Sequence, residues 1–391
     1  MRNETSVRVH YPLERGQLLL RSDADWEENL EPVAENRHQG WFDFRLRFDG
    51  RFAYFKPIVV DPRGLTWARG ENLLALPGGR APLEVWPHFF EDSACSVCNV
   101  HQVGGDSGHA VRVFYPPGYA ENTLESYPVL YMQDGQNLFF PDEAFGGQHW
   151  KVEETLGVLS SMNLIRKAIV VGVYPRDRMA DYTRPGYETY GRFVVDELKP
   201  WVERSYRTLP GREHNAVIGS SLGGVVSFYL GWQYPELFGA VGAMSATFGF
   251  HDDLAERVAS EPRRPLRVYL DTGWPRDNYE VNRSLRRLLI ARGYVEGADL
   301  LYLAFPEAAH NEQAWAMRAH VPFQYFFGRI AEETAAAGAP RAAQARTATP
   351  SSSRSSSARQ MSASRKSDLS GETPRRASAA WTSERSSASR K

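Results

Sequence analysis

Residues 216–224, with the sequence AVIGSSLGG, decide the fold of this chain. They read as a short buried strand, a turn with the pattern G-x-S-x-G and the first residues of a helix. Such a tight turn strains the backbone of its central residue and leaves no room for side chains two positions before and after it. Gly219 and Gly223 occupy those positions, so Ser221 is the central residue and Ser220 is a filler. We expect the Ser221 hydroxyl at the end of a strand and at the positive end of a helix dipole.

The same alternation of strand and helix extends over residues 110–330. Apolar runs occur at 111–115, 128–132, 168–173, 216–218, 241–244, 266–270 and 300–303. Segments with helical spacing separate them, at 148–161, 188–206, 222–233, 278–292 and 311–328. Buried strands that alternate with helices predict an α/β domain, with a mostly parallel sheet covered on both faces.

The flanking regions have a different character. Residues 1–80 contain short strand patterns without helical segments, which predicts a small all-β sandwich. Residues 81–109 read as a connecting segment. Residues 331–391 are rich in Ser, Arg and Ala and have few apolar positions, so we expect a disordered tail.

Charge is divided unevenly along the 391 residues. The net charge is -1, but residues 331–391 carry 11 Lys and Arg against 5 Asp and Glu, which leaves -7 on residues 1–330. The basic tail could attract an acidic partner or bind nucleic acid weakly, and the alternative is a solvated extension without a partner. We expect no other contact with nucleic acid and none with a membrane, because no apolar run is long enough to span one. The N-terminus also lacks the apolar run of a signal peptide, which predicts a cytoplasmic location.

The two cysteines, Cys95 and Cys98, stand in a C-x-x-C spacing. This spacing could be half of a zinc site or a redox pair, but no second C-x-x-C follows. Two reduced thiols in the connecting segment are the simpler interpretation.

A nucleophilic serine needs a general base, and His310 is the best candidate. It follows the apolar run 300–303 in a loop that leads to the last helix, so it should lie at the same sheet edge as Ser221. The other downstream histidines fit less well, because His251 precedes two further strands and His320 falls within the last helix.

The base needs an acid, which should follow the run 266–270. Asp277 lies deep in the loop after this run, where a carboxylate can reach back to His310. Asp271, at the strand end, is the alternative, although a carboxylate there could instead fix the turn.

Two backbone N–H groups are candidates for stabilising an oxyanion. One belongs to Leu222, the residue after the serine. The other belongs to Gln136, in the loop after the run 128–132.

Arginines at 176, 178 and 184 follow the run 168–173. Arg178 and Arg184 could bind an anionic ester. The alternative is that they form salt bridges with the neighbouring acids Asp177, Asp181 and Glu188.

Residues 110–328 resemble the putative-esterase family of α/β-hydrolases, which includes enterochelin esterases, S-formylglutathione hydrolases and feruloyl esterases. The matching stretches are YMQDGQNLF (131–139), WKVEE (150–154), DELKP (196–200), GSSLGG (219–224) and AAHNE (308–312). The resemblance implies a serine carboxylic-ester hydrolase that uses Ser221, His310 and Asp277, forms an acyl-enzyme and needs no metal or organic cofactor. The missing export signal favours a small cytoplasmic ester as substrate, such as a siderophore lactone, an acylated sugar or a small thioester.

Residues 1–80 are similar to the immunoglobulin-like starch-binding modules that precede such domains. The residues that carry this likeness are Trp26, Trp41, Lys56, Trp67 and Asn72. The similarity implies a possible glycan partner. A glycan-binding or scaffold protein with little turnover is therefore the alternative to an enzyme.

Overall fold

The computed structural model of the chain describes residues 3–79, 81–90 and 96–329. The predicted tail and Cys95 lie outside these residues. Within them, an all-β region precedes a mixed α/β region, and both belong to one compact unit.

The N-terminal region consists of two β-sheets. The first contains β1 (Asn3–His10), β4 (Ala34–Asn36), β5 (Trp41–Phe48) and β9 (Leu83–Val85), in the order β4-β5-β1-β9. The second contains β2 (Gln17–Ser22), β3 (Asp25–Leu30), β6 (Ala53–Asp61), β7 (Gly64–Trp67) and β8 (Leu73–Ala75), in the order β3-β2-β6-β7, with β8 pairing with β6.

Alternating residues of these strands form the core of the N-terminal region. In β5, Phe42, Phe44 and Leu46 are buried, and they belong to the same hydrophobic cluster as Leu18 and Leu20 of β2. This is the period-2 pattern of a strand with one face turned inward. The predicted all-β N-terminal region is confirmed, and its sheets continue to residue 85.

A larger sheet forms the centre of the α/β region. Its strands are β10 (Ser96–Val97), β11 (His101–Val103), β12 (His109–Tyr115), β13 (Val129–Gln133), β14 (Ile169–Val173), β15 (Asn215–Ser220), β16 (Ala240–Met244), β17 (Arg267–Trp274) and β18 (Leu300–Pro306). The order is β10-β12-β14-β13-β15-β16-β17-β18, and β11 also pairs with β12. The strands from β13 to β18 run parallel, and β10 to β12 form an antiparallel edge. The carboxyl ends of the parallel strands therefore meet at one edge of the sheet.

Helices cover both faces of this sheet, as the sequence predicts for an α/β-hydrolase. They are α1 (Val152–Ser161), α2 (Arg178–Tyr182), α3 (Gly186–Phe193), α4 (Lys199–Ser205), α5 (Leu222–Gln233), α6 (Leu254–Ser260), α7 (Tyr279–Ala291), α8 (Glu312–Arg318) and α9 (His320–Phe327). Helices α2 to α7 pack on one face, and α1, α8 and α9 pack on the other.

Two of the predicted helical segments are interrupted. The segment expected at 311–328 forms α8 and α9, and Pro322 lies in the first turn of α9, where its missing N–H costs no hydrogen bond. The segment expected at 188–206 contains a π-helical turn between α3 and α4, just before Pro200. Periodicity predicts the helical surface in both cases but does not locate the break.

Side-chain amides attach the N-terminal region to the α/β region. The Asn122 amide is fully buried, and its Nδ2 donates to the carbonyl oxygens of His10 and Pro87 at 2.8 and 2.9 Å. On another side, Asn163 Nδ2 donates to the carbonyl oxygen of Glu71 at 2.9 Å. These bonds join backbone of one region to side chains of the other, so the two regions form a continuous body.

Candidate active site

Ser221 lies in the turn between β15 and α5, at the carboxyl edge of the parallel strands. Its backbone has φ 55° and ψ -123°, a conformation that non-glycine residues rarely adopt. A Cβ on Gly219 would come within 2.5 Å of the Gly223 backbone, and a Cβ on Gly223 would come within 3.0 Å of Asp134 Oδ2. A side chain at position 219 would therefore overlap backbone atoms, and one at position 223 would be in tight contact with Asp134.

Ser221 and Asp277 lie on opposite sides of the His310 imidazole. Ser221 Oγ is 2.9 Å from His310 Nε2, and Asp277 Oδ1 is 2.7 Å from His310 Nδ1. Because an ionised carboxylate only accepts hydrogen bonds, Nδ1–H donates to Asp277 and Nε2 is left to accept from the Ser221 hydroxyl. The His310 side chain is 31% exposed, whereas that of Asp277 is fully buried. A base reachable from solvent thus lies between a serine hydroxyl and a shielded carboxylate.

The Asp277 carboxylate accepts three hydrogen bonds besides that from His310. The donors are Asn278 N–H to Oδ1, and Gly273 N–H and the Ser245 hydroxyl to Oδ2. Burial alone would raise the pKa of Asp277, but these bonds and the one from His310 outweigh it and lower the pKa to about 2. The carboxylate is therefore charged at neutral pH.

Asp271, the alternative acid, has a different environment. It is fully buried, and Arg318 donates to both of its oxygens at 3.1 Å. The hydroxyl of Tyr269 donates to the same carboxylate at 2.8 Å. Burial raises the pKa of Asp271, and the bonds from Arg318 and Tyr269 oppose that rise. The structure brings Asp277, and not this carboxylate, to His310.

The two backbone groups predicted for an oxyanion come from adjacent segments. Leu222 is the first residue of α5, where N–H groups have no partner within the helix. Gln136 lies in a 3-10 turn at Gly135–Asn137, directly after β13. Asp134, the residue before this turn, lies close to Gly223, because a Cβ on Gly223 would be 3.0 Å from Asp134 Oδ2. The segment that leads into the turn therefore lies beside the start of α5.

Both arginines predicted to bind substrate are paired with carboxylates. Arg178 Nε and Nη2 donate to the two oxygens of Asp134 at 2.9 and 3.1 Å, and Nη2 also lies 3.4 Å from the carbonyl oxygen of Ser220. Arg184 Nη1 lies 2.9 Å from Asp253 Oδ2, and its Nε lies 3.8 Å from Glu188. Arg178 thus links the loop after β13 to the strand that ends at the nucleophile turn.

Sequence reasoning missed a polar cluster behind Asp277. Ser245, the residue after β16, contacts Asp277, Arg318 and Trp315 through its hydroxyl. Trp315 also packs edge-on against the ring of His310, with centroids 4.9 Å apart. Ser245 belongs to no recognised motif. The one sequence signal for it is its position at the carboxyl end of a predicted strand.

Other sequence candidates lie elsewhere. Cys98 Sγ accepts the N–H of Val113 at 3.0 Å, and its C-x-x-C partner is outside the described part of the chain. Among the described residues, the metal-compatible group of donor side chains is His149, Glu153 and Glu154, whose ligand atoms lie within 4.8 Å of one another. Ser221, Asp277 and His310 do not belong to this group. No helix in the described ranges is long and apolar enough to cross a bilayer.

The tryptophans of the N-terminal region are divided between its two sheets. Trp26 and Trp67 belong to the second sheet, with ring centroids 6.1 Å apart, and the Arg21 guanidinium lies 5.5 Å from the Trp67 ring. Lys56 lies on the same sheet and donates to the carbonyl oxygen of Gly70 at 2.6 Å. Trp41 lies on the first sheet instead.

Comparison with known proteins identifies the α/β region. A family model described as Putative esterase matches residues 106–317, more than half of the chain. The uncharacterized protein YbbA of Bacillus subtilis (strain 168) is 25% identical over 234 residues, which cover 56% of this chain and 92% of that protein. The uncharacterized protein YjcH of the same organism is 30% identical over 194 residues, which cover 45% of this chain and 76% of that protein.

A solved structure supports the same fold. A ferulic acid esterase superposes with a TM-score of 0.51 at 20% sequence identity, and the match covers 60% of this chain and 98% of that one. At this level of identity the likeness concerns the fold. The family match covers the part of the chain that contains Ser221, Asp277 and His310.

Proposed function

This chain belongs to the putative-esterase family of α/β-hydrolases and is a carboxylic ester hydrolase. We propose that Ser221, His310 and Asp277 form its catalytic triad. The observation that carries the proposal is the continuous hydrogen-bonded path from Ser221 Oγ through both nitrogens of His310 to Asp277. A hydroxyl, a base and a buried charged carboxylate in this order are what acyl transfer requires.

The reaction follows from the positions of these groups. As Ser221 Oγ attacks the ester carbonyl carbon, His310 Nε2 takes the hydroxyl proton, and the imidazolium is stabilised by Asp277. The proton then passes from Nε2 to the leaving alkoxide, which departs as the alcohol and leaves an acyl-enzyme. Water, deprotonated by the same nitrogen, attacks the acyl carbon, and the acid is released as Ser221 recovers its proton.

The backbone N–H groups of Leu222 and Gln136 stabilise the negative oxygen of both tetrahedral intermediates. Their support is the position of Asp134, the residue before the Gly135–Asn137 turn, beside Gly223 in the first turn of α5. Donors fixed before the reaction do not have to reorganise as charge develops, which is why such groups contribute strongly to the rate.

The substrate that we propose is a small ester, such as a siderophore lactone or an acylated sugar. A panel of enterobactin-like lactones, feruloyl esters, acetylated sugars and S-formylglutathione would rank these classes by kcat/KM. Labelling with a fluorophosphonate probe tests the mechanism independently of the substrate. Wild-type protein should be labelled and Ser221→Ala should not, whereas absence of labelling in wild type would favour a binding or scaffold protein on a hydrolase fold.

A glycan partner for residues 1–80 is a second proposal, supported by the Trp26 and Trp67 pair. Trp67 is 37% exposed, and aromatic faces of this kind can stack on sugar rings. Binding to soluble starch should weaken in Trp67→Ala. The matched control is Trp41→Ala, on the other sheet, and equal weakening in both variants would contradict the proposal.

A further inference from the structure

The Ser245 hydroxyl has three hydrogen-bond partners, which together determine where its proton points. It accepts an N–H from Trp315 Nε1 at 3.1 Å and another from Arg318 Nη2 at 2.6 Å. Indole and guanidinium nitrogens only donate, so both lone pairs of the hydroxyl oxygen are used. The single proton of Ser245 must then point to its third neighbour, Asp277 Oδ2, at 2.5 Å.

The groups that hold this hydroxyl are themselves fixed. Ser245 is fully buried, and the Arg318 side chain is 3% exposed. Arg318 is anchored by the carboxylate of Asp271, to which both Nε and Nη2 donate, and its Nη2 remains 3.8 Å from Asp277 Oδ2. The guanidinium therefore acts on Asp277 through Ser245 and through its charge, without a direct hydrogen bond.

This arrangement selects one orientation of the Asp277 carboxylate. Oδ2 is held by Ser245 and by the Gly273 N–H, so the carboxylate cannot rotate without breaking both bonds. Oδ1 is consequently kept at 2.7 Å from His310 Nδ1. Fixing the orientation of the acid also fixes the tautomer of the imidazole, on which a triad depends.

We propose that Ser245, backed by Arg318 and Trp315, is a positioning residue for the catalytic acid. The inference rests on the proposed function of Ser221, His310 and Asp277 and adds to it. Ser245 does not touch the reacting atoms. It acts through Asp277, so its contribution should disappear when Asp277 no longer carries a carboxylate.

The test uses the full chain and a p-nitrophenyl ester, with Ser245→Ala and Ser245→Gly. Both variants remove the hydroxyl, but the glycine also tolerates the φ of 46° at this position, so a loss shared by both reports on the hydroxyl and not on backbone strain. We expect kcat to fall roughly 10- to 100-fold, the usual weight of a hydrogen bond to a charged group, with KM changed less than about twofold. If Ser245→Ala is too unstable to assay, Ser245→Gly carries the test.

Two further variants separate this role from general stability. Ser227→Ala removes a buried hydroxyl of α5 that has no hydrogen-bond partner among the described residues, and it should leave kcat unchanged. In an Asp277→Asn background, Ser245→Ala should cost less than about twofold further, because the acid that it positions is absent. Unchanged kcat in both Ser245 variants, or an equal loss with and without the Asp277 carboxylate, would overturn the inference. Failure of the triad itself would instead appear as activity retained in Ser221→Ala.

Discussion

Ser221 and its neighbour Ser220 form a matched pair for testing the nucleophile. Ser221→Ala removes the only oxygen within hydrogen-bond distance of His310 Nε2 in the described structure, and kcat on p-nitrophenyl esters should fall on the order of 10⁵- to 10⁶-fold. Ser220→Ala changes a residue of β15 whose hydroxyl is not part of this path, so kcat should fall less than about tenfold. Equal losses, measured with the fold verified by circular dichroism, would contradict the assignment.

Asp271, within β17, and Asp277, in the loop after β17, should differ in their effects on activity. Asp277→Asn removes the charge that stabilises the His310 imidazolium, so kcat should fall roughly 10⁴-fold. Asp271→Asn removes the carboxylate to which the buried Arg318 donates directly, and the free energy of unfolding should drop by about 3 kcal/mol.

Steady-state kinetics and thermal unfolding of both variants would check this separation. The matched control is built into the pair, since each variant replaces a fully buried carboxylate by its amide. A 10⁴-fold loss in Asp271→Asn with full activity in Asp277→Asn would move the acid to Asp271.

The side chains of the site differ in how far sequence could predict them. Ser221 and His310 follow from strand order and from one motif, because the carboxyl ends of parallel strands share an edge. Sequence favoured Asp277 but left Asp271 as an alternative, because both follow the same apolar run at 266–270 and the direction of a side chain cannot be derived from that run. Ser245 and Arg318 were missed because their contacts join β16 to α8 across 73 residues of chain.

Helix α2 carries Arg178 to the nucleophile turn, and its role can be tested against the anionic-substrate hypothesis. Asp177 caps this short helix by accepting the N–H of Met179 at 2.9 Å, and Arg178 then pairs with Asp134. Because that pair holds the loop containing Gln136, Arg178→Met should lower kcat/KM roughly tenfold for neutral and anionic esters alike.

Arg184→Met is the control, since Arg184 pairs with Asp253 at a more exposed position. It should change kcat/KM for either ester by less than about twofold. A rise in KM confined to the anionic ester, and weakening with salt, would instead support substrate binding by these arginines.

Strands were predictable from the sequence where burial determines the residue type at almost every position. The strands from β13 to β17 are buried at almost every position, so each is a short apolar run that stands out from its neighbours. Breaks in helices depend on single residues such as Pro200 and Pro322, which shift a boundary without altering the apolar pattern. The short helices α2 and α6 were not predicted, because α2 has five residues and α6 has seven, too few to display a helical period.

The association of the N-terminal and α/β regions could not be predicted from sequence. It depends on asparagine side chains that bond distant backbone carbonyls, such as Asn122 with His10, and such bonds have no local pattern. The contact also buries His88, which follows β9 and is 6% exposed. The Lys167 ammonium lies 3.5 Å from His88 Nδ1, and Gly118 packs against the imidazole ring.

His88 should make the stability of the joined regions sensitive to acid. Burial, together with the nearby charge of Lys167, lowers the pKa of His88 from 6.5 to about 4. The unfolded chain therefore binds a proton at higher pH than the folded chain does, and stability rises with pH in this window. The contribution of neutral His88 is complete above about pH 6.5 and is lost as the pH falls through 4.

Melting temperatures between pH 7 and pH 4 would measure this effect. All acid-sensitive groups contribute to the wild-type curve, so the informative quantity is the difference between wild type and His88→Gln. Because glutamine binds no proton, the variant should lose less stability than wild type between pH 6.5 and 4. The control is His38→Gln, which replaces an exposed histidine and should follow the wild-type curve. If the melting temperatures of wild type and His88→Gln fell equally with pH, protonation of His88 would not lower the stability of the protein, which would contradict the prediction.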